Sequence, residues 1–551
     1  MRARHGLGRL LGRTGAVVAV VALATVVTGS SPALAAGSTA LIQGSGSSWA
    51  ENAVNQWVAD VASQGVQVVY TPDGDAQGRQ DYANRTSDFA VTSEGYQGVD
   101  PVTGVSDTSN GRPYAYLPIA AGGTSFPYQI RFDGQQVQNL RLSGLTLAKI
   151  FTNQITNWDD PEITKDNNGH ALPSLPIIPV VQSEGSGSTQ QLTTYFATEF
   201  PGQWQNFAGQ SQPTEYFPRQ GDQIAQNGSN AAMNYVSSTE ANGAIGYVEY
   251  SFALSVGYPV VKVLNSAGYY TLPTQYNVAV ALEDAQINMD PSSPDYLLQN
   301  LTNVYTDPDP RTYPLSSYVY MIEPTGTYPN PETQITTAKR QSIADFEYYG
   351  ICQGQKEIGP IGYSSLPVNL VEAAFGQIQK LQTADPGVDL TSLNITTCHN
   401  PTFVPGQPNT NYLATIAPLP PSCDAAGAGP CAAGVTPNGI GATPTTSGTY
   451  PGMTSRPVTP TTSVSSPGSS PDPASTAAGT QAVSGVGISS SPGSTTAPAA
   501  TAPLATTELS RVGPTSFFAR SAPFAVVVLL LLFLTPVFVG RRRRARAGRG
   551  L

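Results

Sequence analysis

Apolar and polar positions along the chain alternate in two rhythms from residue 41 to about residue 385. Short apolar runs such as Val66–Tyr70, "DFAVTS" (Asp88–Ser93) and "YPLSSYVYMI" (Tyr313–Ile322) have the length and β-branched or aromatic content of strands. Between them lie segments of helical spacing. Ala50, Ala53, Val54, Trp57, Val58 and Val61 fall at i, i+3, i+4, i+7, i+8 and i+11, the apolar stripe of a surface helix. "LSGLTLAKIF" turns Leu147, Ile150 and Phe151 to one side, and "NWDDP" follows as a capped turn. "GAIGYVEYSFAL" (Gly243–Leu254) reads as a buried strand entering a helix, and "PVNLVEAAFGQI" opens a last amphipathic helix. This alternation predicts an α/β fold.

The two ends follow other rules. Residues 1–35 carry Arg2, Arg4, Arg9 and Arg13, then "AVVAVVALATVVTG", then the small residues "ALAA", the order of an export signal. Residues 436–514 are Pro, Ser, Thr, Ala and Gly with almost no charge, too poor in large apolar groups to fold. Such a stalk of about eighty residues would reach ~50 Å as a flexible coil. Residues 523–540 are apolar over a length that suits a bilayer, and the basic stretch 541–551 follows directly. By the positive-inside rule, that pattern predicts a single-pass anchor at the cell membrane, the folded part outside and the basic tail in the cytoplasm.

Charge and rare residues narrow the chemistry. The formal net charge is −10, and the absence of basic clusters away from the ends argues against nucleic acid. Three histidines in 551 residues leave little scope for histidine-dependent catalysis or metal binding, and neither GxSxG nor HExxH occurs. The chain is therefore read as a non-enzyme without cofactor. Four cysteines in an exported chain suggest disulfides. Cys423 and Cys431 are close enough to close a small loop, which leaves Cys352 with Cys398; all but Cys352 lie in a Cys-containing extension over 386–435.

Two Gly/Ser loops stand at strand-to-helix junctions: "GSGSSW" (Gly44–Trp49) and "EGSGST" (Glu184–Thr189). Free N–H groups and the positive end of the helix dipole make each an oxyanion cradle, although Ser and Thr also serve as ordinary helix caps. These loops, with "DFAVTS", "LAKIFTNQITNWDDPEI", "GAIGYVEY" and "IGYSSLP" in that order, resemble the phosphate-binding proteins of bacterial ABC importers over residues 41–385. The resemblance implies a two-lobed periplasmic-binding-protein fold of type 2, with one lobe over 41–118 and 315–385, the other over 119–314, and a ligand between them.

Carried over one position at a time, the family's contacts fall on Ser48, Trp49, Ser186, Gly187 and Ser188, which match its pattern, with Ser for Thr at Ser188. Three positions depart. Asp75 stands where the family has a Ser, Ser93 where it has the Asp that accepts the proton of protonated phosphate, and Gln182 where it has an Arg. A carboxylate facing an anion would oppose it by about 4 kcal/mol at an effective dielectric near 20. Arg79 and Arg219 are the candidates to restore positive charge. Two functions follow: a monomeric, membrane-anchored solute-binding protein that takes phosphate or another small polar solute to an ABC permease, or a cell-surface interaction or sensing module that kept the fold and lost phosphate specificity. A basic, fully hydrogen-bonded cleft would favour the first, and an acidic one the second.

Overall fold

The first apolar run lies inside a sheet rather than at its edge. Ile42–Gly46 pairs in parallel with Val68–Thr71 on one side and Phe89–Thr92 on the other, Ile42 facing Val68 and Gly44 facing Phe89. Beyond Phe89–Thr92 the sheet turns antiparallel. Ser316–Pro324 comes next, then Tyr114–Ser125, and the short strand Val248–Glu249 closes the far edge. In this computed structural model of the chain, the described residues are 39–99, 104, 106–404, 406–407, 410–432 and the pair 453–454. The expected export segment (1–35), stalk (436–514), apolar span (523–540) and basic tail (541–551) lie outside them. Among the described residues, no helix is long and apolar enough to cross a membrane.

The two largest hydrophobic cores among the described residues lie one to each side of the crossing between halves. The first gathers Ile42, Trp57, Val91, Leu117, Tyr320, Ile343 and Leu381 around the six-stranded sheet. The helix Glu51–Ala62 packs there through Ala53, Val54, Trp57 and Val61, the stripe read from its spacing. The second core collects Phe126, Leu147, Phe151, Trp158, Phe196, Trp204 and Tyr247. It lies beside a parallel sheet ordered Ile224–Gln226, Ile178–Gln182, Ala244–Gly246. Tyr114–Ser125 and Ser316–Pro324 run side by side from Tyr114 opposite Pro324 to Gly123 opposite Ser316. Where they pass from one core to the other, Thr124 N–H donates to the Leu315 carbonyl at 2.9 Å. The chain thus forms two α/β lobes joined by a paired crossing.

One local reading changes. The strand expected over Val66–Tyr70 spans Val68–Thr71, with Val66 buried just before it. Asp75, placed among the ligand contacts, is fully buried and opens the helix Asp75–Ala83. That helix has no apolar stripe to announce it, because the residues it buries include Asp75, Gly78 and Arg79. Gly78 sits where a side chain would press to 2.4 Å from the Gly46 Cα, so close backbone approach takes the place of apolar side-chain contact.

Past the helix Val368–Ala384 the chain becomes a strap over both lobes. Both disulfides join the pairs suggested by their spacing, Cys352–Cys398 and Cys423–Cys431. Cys352 and Cys398 are buried in the first core. Asn400 and Thr402 donate to the Leu366 carbonyl. The turn of helix Tyr412–Ile416 then packs Leu413 and Ala414 on Ala279 and Val280. At the far end, Asp424 forms a buried ion pair with Lys262 at 2.7 Å, and Arg141 donates to the carbonyls of Cys423 and Ala428.

Candidate functional site

Four helices begin where the lobes meet: Glu51–Ala62 and Asp75–Ala83 from the first lobe, Gly187–Glu199 and Gly228–Ser237 from the second. Contacts across the boundary hold these starts together. Gly187 lies so close to the first lobe that a methyl in place of its hydrogen would sit 2.2 Å from Ser93 Oγ and 2.6 Å from Asp75 Oδ1. Ala76 N–H donates to the Gly185 carbonyl at 3.1 Å. Ser48 Oγ lies 3.2 Å from Ser229 Oγ and accepts from Ser229 N–H at 3.2 Å. The lobes are closed on each other.

Within this closure the expected residues take different parts. Asp75, Ser93 and Gly187 form one cluster, in which Ser93 N–H donates to Asp75 Oδ1 at 2.5 Å. Gln182 joins Ser48 through a shared neighbour: its Nε2 donates to Ser229 Oγ at 3.3 Å, while its backbone N–H donates to the Tyr247 hydroxyl. Ser186 caps its helix, accepting from Thr189 N–H at 3.1 Å and donating to Thr189 Oγ1 at 2.9 Å. The Trp49 side chain is a wall of the crossing, with Nε1 donating to Thr124 Oγ1 and the ring edge-on to Tyr363.

Buried polar atoms around these contacts that have no hydrogen-bond partner among the described residues include Ser47 Oγ, Asp75 Oδ2, Ser93 Oγ, Gln182 Oε1 and Ser188 Oγ, with Asp73 Oδ1 and both carboxylate oxygens of Glu184 beside them. Each such group costs about 1–3 kcal/mol if nothing satisfies it. Three hydroxyls that can donate, with a carboxylate oxygen and an amide oxygen that only accept, are together a mixed set of donors and acceptors for a small polar ligand. No group of three or more His, Cys, Asp or Glu is arranged to hold a metal ion among the described residues.

The charge around the cleft differs from the expectation. Arg79 is fully buried but already engaged: Nε donates to Asp107 at 2.7 Å, one terminal nitrogen to Thr92 Oγ1 at 3.0 Å, and the other to both Glu215 oxygens at 2.8 and 2.7 Å. Arg219 donates through Nε to the Gln223 carbonyl at 2.7 Å. With these bonds made, neither arginine stands in for the family's missing Arg. Acids outnumber bases, with Asp73, Asp75, Glu94, Glu184 and Glu215 against Arg79. Burial pushes Glu94 up to about 8, and the Asp75 charge adds to the rise. Burial, then Asp81, raises Asp73 to about 6. Burial also raises Glu184 and Glu215, against the pull of Arg79 on Glu215. At neutral pH, Glu94 is therefore largely protonated and is a donor rather than a repelling charge.

Ser229, Tyr247 and Glu215 belong to the site and were not singled out from sequence. A signal existed for Ser229. "QNGSN" (Gln226–Asn230) is a third Gly-Ser step from a strand into a helix, of the same kind as the two recognised loops. Glu215 lies in an irregular stretch with no periodicity, so only the fold brings it to Arg79.

Known proteins agree with this architecture. A family model for the PBP superfamily domain matches residues 31–346. Phosphate-binding protein PstS 2 of Mycobacterium tuberculosis is 29% identical over 376 residues, an alignment spanning 64% of this chain and 95% of that protein. Phosphate-binding protein PstS of Xylella fastidiosa is 27% identical over 332 residues, spanning 60% of this chain and 83% of its own. Its namesake in Pasteurella multocida is 30% identical over 246 residues, 44% of this chain and 67% of its own. With two closed α/β lobes, four helix starts between them and these relatives, the chain belongs to the PBP superfamily as a type 2 periplasmic binding protein similar to the phosphate-binding proteins.

Proposed function

We propose that this protein is an extracytoplasmic solute-binding protein that holds a protonated oxyanion, phosphate first among them, between its lobes. The observation that carries the reading is the exchange between Asp75 and Ser93. Compared with the family pattern, the acid and the serine have traded places along the chain. Yet the two side chains belong to one cluster, joined by the bond from Ser93 N–H to Asp75 Oδ1, with Asp75 Oδ2 and Ser93 Oγ both unpartnered. One acceptor for a P–OH proton and one hydroxyl donor are thus still present. Asp75 acts as acceptor instead of as a repelling charge. Ser47 and Ser188 supply donors at helix starts, where the dipole favours an anion, and Ser93 adds a hydroxyl at the end of the strand Phe89–Thr92.

Gln182 sets the strength. A neutral amide in place of Arg forgoes a charge-assisted bond of roughly 1.5–3 kcal/mol, so affinity falls by about one to two powers of ten against an otherwise equal site. Equilibrium dialysis with labelled phosphate tests the reading. It predicts one site per chain, displaced by arsenate, which protonates like phosphate, and not by sulfate, which carries no proton near neutral pH. Retention of no phosphate, or equal displacement by sulfate, overturns it.

The acidic surroundings favour a second reading, the surface sensing or interaction module, for which such a cleft was the stated mark. The raised affinities of Glu94 and Asp73 for protons weaken that argument, because they lower the charge an incoming anion meets. The proposal includes the finer points read from sequence: export by residues 1–35, tethering through the stalk 436–514 and the apolar span 523–540, and delivery, as a monomer, to an ABC permease. Support for them comes from the segment pattern and from the transport role that the family resemblance implies.

A further inference from the structure

Arg79 holds both lobes at once. Its Nε and one terminal nitrogen are bound within the first lobe, to Asp107 and Thr92, whereas the other terminal nitrogen reaches both oxygens of Glu215 in the second. All three charged groups are buried. Glu215 is also joined to the ligand loop, since its carbonyl accepts from Ser186 N–H at 3.0 Å. The loop that carries Gly187 and Ser188 is therefore drawn against the first lobe by the same residue that grips Arg79.

We propose that Arg79 and Glu215 form a latch between the lobes that sets how long the clamp stays shut on its ligand. Glu215 touches no ligand group in this account; it is a positioning residue acting through the closed state. Opening separates Glu215 from Arg79, while Asp107 stays with the arginine, so the cost of breaking the latch falls on the interlobe bond alone. Removing one partner of a buried charge pair acts mainly on dissociation. The proposal rests on the binding reading above, and the test keeps the two apart.

Glu215→Gln removes a negative charge near the cleft. Electrostatics alone would then tighten the binding of an anion; the latch predicts the opposite sign. Stopped-flow binding of inorganic phosphate to the full chain should show a dissociation rate raised about tenfold or more and an association rate changed less than about twofold. Glu215→Asp, which keeps the charge and shortens the reach, should fall between the variant and the native protein. Solution X-ray scattering without phosphate provides the second arm: Glu215→Gln should have a larger radius of gyration than the native chain. An unchanged or slower dissociation rate in a folded Glu215→Gln, or Glu215→Asp behaving worse than Glu215→Gln, overturns the latch. If the native chain binds no phosphate, the binding reading fails, and scattering alone then decides: expansion of the variant supports the latch and equal dimensions overturn it.

Discussion

Asp75 occupies the first position of its helix, with one carboxylate oxygen receiving Ser93 N–H and the other unpartnered. An acceptor at that point discriminates by protonation state. Asp75→Asn, which can turn an N–H₂ toward the ligand, is expected to narrow the preference for phosphate over sulfate by about tenfold or more, read from competition binding. Gly187 makes a different prediction. Its clash with Ser93 exists only when the lobes are shut, so Gly187→Ala should weaken phosphate binding by at least about tenfold and enlarge the radius of gyration of the unliganded protein, while each lobe keeps its fold. Loss of stability with intact binding would contradict the closed geometry. A third residue sets a pH dependence. Glu249 is fully buried at the edge of the crossing, and burial lifts it from 4.5 to about 8 in spite of the bond it accepts from Ser251 N–H. Between those values the folded chain binds more protons than the unfolded chain, so this contribution to stability is lost as pH rises through that window. Glu249→Gln should shrink the fall in Tm between pH 5 and pH 9, and an equal fall would contradict the assignment. Of these three residues, sequence pointed to Asp75 and Gly187. It left Asp75 between turn and cleft, because the contact that decides the matter comes from Ser93, eighteen residues further along the chain.

Elements were legible where an apolar face repeats. The helix Glu51–Ala62 and the strands of the first lobe could be read because they pack by side-chain burial at regular spacing. The helices Asp75–Ala83 and Gly228–Ser237 gave weaker signals, because they dock through Gly78, Arg79, Gly228 and Ser229. Such polar and glycine contacts have no period. The strap after Ala384 was legible only as three of the four cysteines, since its fold is set by hydrogen bonds to elements far away in sequence. Replacing Cys352 and Cys398 together by Ser should cost about 2–4 kcal/mol in denaturant unfolding. Amide exchange should quicken over 386–432, with the sheet of the second lobe unaffected. Uniform protection along the strap would show that its other contacts suffice.

At the scale of the whole molecule, two lobes close on a site whose ligand-facing groups come from both. Neither half has the complete set of unpartnered donors and acceptors: Ser47, Asp75 and Ser93 come from one, Gln182 and Ser188 from the other. A ligand that satisfies both sets then adds to the stability of the shut form that the latch already favours. The general architecture was visible in sequence because it rests on many distributed apolar positions. The engagement of Arg79 by Asp107 and Glu215 was not, since that depends on which of several acids the fold brings near. The most direct test is calorimetric titration of the native protein with phosphate and, separately, with sulfate at neutral pH. The account predicts one phosphate per chain at micromolar affinity or tighter, with sulfate weaker by roughly a hundredfold. A folded sample that gives no heat with phosphate, or binds sulfate equally well, would contradict it.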